Sequence, residues 1–134
     1  MSVSCLWPSW PSAPSRLPLY LTVGCYPEDY HIVQNDLFDG LYSFEGNLKD
    51  QTSTLQLGTC ERFVCNGDAA VYWCNNNRDR DAEVEYKQVA EAAWTIIHDC
   101  GVGAQRLIYV AGVVVYPTKV RAVVIKDNEC LNQN

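Results

Sequence analysis

The sequence contains no run of about twenty apolar residues, the length a membrane helix needs; its longest apolar stretch, Leu107 to Tyr116, is strand-sized. A membrane span is therefore not expected. The chain also lacks C-x-x-C and H-x-x-x-H pairs, the spacings by which structural zinc is usually held. It has no Asn-x-Ser/Thr sequon and no recognisable catalytic signature. Basic residues are scarce, ten Lys and Arg against sixteen Asp and Glu, for a net charge of −6. Such a surface repels phosphate backbones, so nucleic acid is not an expected partner. Charged residues make up only 19% of the 134 positions and hydrophobic ones 48%, which excludes disorder of the whole chain and suits one domain with a real core.

Cysteine, by contrast, is abundant: Cys5, Cys25, Cys60, Cys65, Cys74, Cys100 and Cys130. Without close pairs or partnering histidines, disulfides are the better use of these thiols than zinc, and they imply an oxidising compartment, hence secretion. The six between Cys25 and Cys130 can form three bridges, with the connectivity open. Cys5 is the odd one, either free, paired between chains to make a dimer, or left over from a fourth bridge. The start, Met1-Ser2-Val3-Ser4-Cys5, has neither a basic beginning nor a long apolar core, and reads as a mature form with its signal peptide removed and a Met added.

Residues 1–18 form a tail rich in Pro, Ser and Trp that cannot build a helix or sheet interior; residues 19–134 read as a single domain. Leu19 to Cys25 is β-branched and apolar, a first strand. Asp29 suits a helix N-cap, and Val33, Leu37 and Leu41 recur as one face of a helix ending near Gly40 to Gly46. Thr54 to Cys60 alternates as a half-buried strand. Asn66-Gly67-Asp68 is a turn signal between Arg62–Cys65 and Ala69–Cys74, a hairpin. After a polar run from Asn75 to Asp81, either Asp79 or Asp81 is expected to cap a helix over Ala82–Cys100, with Val89, Ala92, Ala93, Ile96, Ile97 and Cys100 on one face. Gly101 is expected to stop it in the left-handed conformation. Strands over Arg106–Tyr116 and Lys119–Lys126, joined at Pro117-Thr118, close the chain. The order β-α-β-β-α-β-β fits an α+β fold, an antiparallel sheet with two helices packed on one face, as in a split βαβ or ferredoxin-like sandwich.

Candidate chemistry is thin. His31 and His98 have no neighbouring nucleophile or acid in a hydrolase signature, and a histidine near a helix C-terminus, such as His98, is favoured electrostatically without catalysis. The acidic pairs Glu28/Asp29, Asp79/Asp81 and Glu83/Glu85 suit caps and solvated faces better than a glycosidase cleft. Asn75 to Asp81 superficially suggests a calcium loop, but Arg78 and Arg80 interrupt it and the central glycine is missing, so a solvated loop is expected. No catalytic residue, metal or cofactor is assigned.

Leu57-Gly58-Thr59-Cys60, the hairpin through Ala70-Val71-Tyr72-Trp73-Cys74, the helix ending Ile96-Ile97-His98-Asp99-Cys100-Gly101, then Ala111-Gly112-Val113-Val114-Val115 and a last strand before Cys130 form an ordered series. Over roughly Leu55 to Cys130 that series resembles fungal secreted cysteine-rich effectors and killer-toxin-like proteins, including necrosis-inducing and avirulence types. The resemblance implies a disulfide-stapled α/β sandwich and a secreted, non-enzymatic virulence or avirulence protein that binds a host plant protein or is recognised by a host immune receptor. The killer-toxin pattern has a Cys-x-x-Cys-Gly after the helix where this chain has only Cys100-Gly101, so no channel-blocking residues carry over. A toxin acting on competing microbes is the alternative, disfavoured by the negative charge, with a small secreted hydrolase behind it. Trp7, Trp10, Arg78 and Arg80 are the expected partner-binding residues, being aromatic and Arg side chains in segments expected to be exposed. A monomer is expected unless Cys5 pairs between chains.

Overall fold

The computed structural model describes residues 22–48, 51–104 and 106–132. Its centre is a five-stranded antiparallel sheet. Its strands are β1 (Thr22–Cys25), β4 (Cys60–Asn66), β5 (Ala69–Asn75), β9 (Gly112–Val115) and β10 (Val120–Lys126), in the order β1-β9-β10-β5-β4. Two small antiparallel sheets flank it. One joins β2 (Ile32–Val33), β8 (Leu107–Val110) and β7 (Val102–Ala104); the other pairs β3 (Thr52–Leu55) with β6 (Ala82–Glu85). Helix α1 (Gln34–Leu48) packs on β4 and β5, and α2 (Tyr86–Cys100) on β1, β9 and β10. The helices also touch each other, so they share one face of the central sheet. The described residues thus form an α+β fold with antiparallel sheets, two α-helices and three disulfides.

The core lies between these layers. Ala69, Val71 and Trp73 of β5 alternate toward the helices with Ala122 and Val124 of β10 and Val114 of β9. They meet Leu37, Leu41 and Phe44 of α1 and Val89, Ala92, Ala93 and Ile96 of α2, all buried. The α2 stripe therefore packs as its spacing predicts, with Ile97 half-buried at its margin. The hairpin also forms as expected: a two-residue loop, Gly67-Asp68, joins β4 to β5, with Gly67 at φ +58°, the positive value that the first position of a type II′ turn requires.

Several boundaries differ from the sequence reading. Asp29 caps no α-helix: Glu28–Tyr30 is a single 3-10 turn, Ile32–Val33 pairs with β8, and α1 begins only at Gln34. The strand expected over Thr54–Cys60 is cut by a turn at Leu57-Gly58, where Gly58 has φ +70°, and pairing resumes from Cys60 in β4. The second helix loses its expected first turn because Ala82–Glu85 pairs with Thr52–Leu55. Neither Asp79 nor Asp81 caps it; Gln88 Oε1 accepts the Glu85 N–H at 3.0 Å across the first turn. Gly101 is extended (φ −69°, ψ 132°), not left-handed; a Cβ there would stand 3.0 Å from the Ile97 carbonyl oxygen. The expected strand Arg106–Tyr116 breaks at Ala111, its first half in the small sheet and its second in the central one.

Candidate functional site

The six cysteines predicted to bridge do so in pairs. Cys25–Cys100 ties β1 to the end of α2, Cys60–Cys74 crosses the β4–β5 hairpin, and Cys65–Cys130 fastens the C-terminal 3-10 turn (Asn128–Asn132) to β4. The bridged residues are 75, 14 and 65 positions apart. In the chain-entropy view such loops stabilise by about 3 kcal/mol for the short one and about 4.5 kcal/mol for each of the two long ones. Cys5, Trp7 and Trp10, with the rest of the 1–18 tail, lie outside the described residues.

Arg78 and Arg80 are exposed, as expected, but the loop that carries them is not simply solvated. Asn75 is fully buried and Asn77 is 7% exposed. The Asn75 side-chain amide donates to the carbonyls of Leu55 and Arg80, each at 3.0 Å, and its oxygen accepts from the backbone N–H (3.0 Å) and side-chain amide (2.8 Å) of Asn77. Asn77 Nδ2 also donates to Thr118 O at 2.9 Å. Asp81 Oδ1 accepts the Leu57 N–H at 3.0 Å, joining the loop to the turn before β4. Two asparagines thus lock the loop to β3, β5 and the Tyr116–Lys119 turn, and hold the two guanidinium groups outward. The only sequence signal was the spacing: in Asn75-Asn76-Asn77 the two outer members face inward and the middle one is exposed.

Beside this loop lies an open groove of about 1230 Å³ between β6, the outer side of α2 and the Tyr116–Lys119 turn. Five carboxylates line it, from Asp79, Asp81, Glu83, Glu85 and Glu91, against three cations, Arg80, Lys87 and Lys119. Arg80 approaches Asp79 at 3.5 Å and Lys87 approaches Glu85 at 3.8 Å, while Asp81, Glu83 and Glu91 have no ion-pair partner among the described residues. Trp73, stacked on Tyr116 with ring centroids 5.3 Å apart, also lines the groove. Its indole Nε1 is buried and, among the described residues, is the one buried side-chain polar atom with no hydrogen-bond partner. Leaving such a donor unsatisfied costs about 1–3 kcal/mol. This groove was not legible in the sequence, because its walls come from segments brought together only by tertiary pairing.

Elsewhere, His31 Nε2 donates to the Tyr26 carbonyl at 3.0 Å, and His98, exposed at the end of α2, donates from Nδ1 to Asp99 at 2.8 Å. Each imidazole serves its own local partner. Under the C-terminal turn, the Tyr72 hydroxyl donates to Asp127, with Arg62 3.0 Å from the same oxygen. The Tyr72 bond, helped by the Glu129 N–H and Arg62, holds the Asp127 carboxyl below its usual range against the opposing effect of burial. Burial, then the Asp127 bond, pushes the Tyr72 hydroxyl up. Among the described residues no three metal-binding side chains gather in one place, and no helix is long and apolar enough to cross a membrane. No protein-family model, curated protein or solved structure matches the chain.

Proposed function

We propose that this protein is a secreted, non-enzymatic effector of the fungal cysteine-rich kind, which acts by binding a host plant protein or by being recognised by a host immune receptor. The observation that carries this reading is the set of three bridges, which pins strand to helix, strand to strand and C-terminal turn to strand in a domain of this size. That construction suits an oxidising, protease-rich space and favours secretion. The likeness to the effector series adds the class; the order of elements from β5 through α2 to β9, with β10 between the two strands, has the ingredients of a split βαβ unit. Recognition falls to rigid exposed loops, here the Asn75–Asp81 loop with Arg78 and Arg80.

The test is infiltration of purified protein into leaf tissue of candidate host plants, scored for cell death or receptor-dependent response. The doubly substituted Arg78→Ala/Arg80→Ala protein should keep its thermal midpoint and lose most of the response. An unchanged response would remove the loop from recognition, and inactivity of the native protein on every host, with inhibition of fungal lawns instead, would replace the effector reading by the toxin one.

A further inference from the structure

Strand β6 has β3 on one side and no strand on the other among the described residues, and all four of its residues line the groove. An open strand edge carries backbone groups ready to pair with an extended chain; here Glu83 presents them, the Glu85 N–H being already bonded to Gln88 Oε1. Around that edge carboxylates outnumber cations five to three, and three of the carboxylates, Asp81, Glu83 and Glu91, are left without an ion-pair partner among the described residues, Asp81 being bonded to the Leu57 N–H. Trp73 also lines the groove, but at 3% exposure its indole N–H is covered and is not offered to a ligand there, so the strand edge and the carboxylates are what the groove presents.

We infer that this groove binds an extended peptide segment rich in Lys and Arg, which adds as a strand to the free edge of β6 and sets its cationic side chains against Glu83 and Glu91. Backbone pairing supplies affinity in this mode and alternate side chains supply selectivity. The inference rests on the partner-binding reading given above and names the chemistry of the partner segment. A glycan fits less well: the Trp73 ring is almost wholly covered and its stacking face is taken by Tyr116, so little aromatic surface is left for a sugar.

A fluorescein-labelled synthetic peptide alternating Lys and Val, titrated by fluorescence polarisation, tests the assignment in solution without any host material. The Lys-Val peptide should bind, more weakly as salt is raised, and a Glu-Val peptide should not. Glu83→Gln/Glu91→Gln should weaken binding about five- to tenfold. Glu28→Gln/Asp29→Asn, which removes the same charge outside the groove, should leave it unchanged. N-methylation of alternate backbone nitrogens on the peptide should abolish binding if a strand is added. Equal weakening by both double variants would reduce the effect to net charge and overturn the inference. So would tight binding of the N-methylated peptide, or a neutral chitin oligosaccharide that binds where the peptide does not. Because host response is not read here, a failure leaves the effector proposal to be judged on leaf tissue alone.

Discussion

Asp127 stands where three interactions converge: the Tyr72 hydroxyl, the Arg62 guanidinium at 3.0 Å and the Glu129 N–H at 2.9 Å. Its folded pKa lies below that of the unfolded chain, so its contribution is fully present above the unfolded value and is lost as pH falls through the folded one. Asp127→Asn should therefore lower stability at neutral pH, by about 1 kcal/mol because the group sits close to solvent, and the difference from the native protein should shrink toward zero in strong acid. Urea unfolding at a series of pH values measures this directly; a gap that widens on acidification would reverse the sign. Gly112 makes a different demand. A Cβ there would meet the Gly24 carbonyl oxygen at 2.7 Å and Cys100 Sγ at 2.9 Å, the first a backbone atom that cannot turn aside. Gly112→Ala is expected to cost about 1–3 kcal/mol as β1 is pushed from β9, and an unchanged thermal midpoint would show that the sheet yields there.

At the scale of elements, the Asn75–Asp81 loop behaves as a fixed part of the fold because two buried amides hold it. Asn75→Ala removes two donated and two accepted bonds and strands the Leu55 and Arg80 carbonyls. The expected cost is about 2–4 kcal/mol, with faster amide exchange spreading from Asn76 to Asp81; exchange as slow as in the native protein would mean the network is dispensable. The same segment marks the limit of what was legible. Helix α2 was readable because six apolar positions repeat at helical spacing, and the hairpin because Asn66-Gly67-Asp68 carries its own turn geometry. Strand β6 was not, since Ala82 to Glu85 has strand character only through its register with Thr52–Leu55, nearly thirty residues away in sequence. The two-residue strand β2 likewise exists only because β8 pairs with it. Local periodicity reports a face to be buried, and pairing partners this distant leave no local trace.

For the molecule as a whole, the number of bridges was inferable from counting cysteines but their partners were not, because connectivity depends on which strands end up side by side. Cys60 and Cys74 oppose each other in the β4–β5 register, and Cys65 and Cys130 meet only because the C-terminal turn folds back on β4. Cys25 and Cys100 close the longest of the three loops and fasten β1, one of the two edge strands of the central sheet among the described residues, to α2. Losing this last bridge through Cys25→Ser/Cys100→Ser should cost about 2–5 kcal/mol. The measurement that bears most directly on a secreted, bridge-stapled domain is peptide mapping by mass spectrometry of the non-reduced protein, recovered from its native source with free thiols alkylated at collection. Three linked peptide pairs, Cys25–Cys100, Cys60–Cys74 and Cys65–Cys130, are predicted. Alkylated thiols at these six positions would contradict the oxidising compartment, and with it the effector proposal.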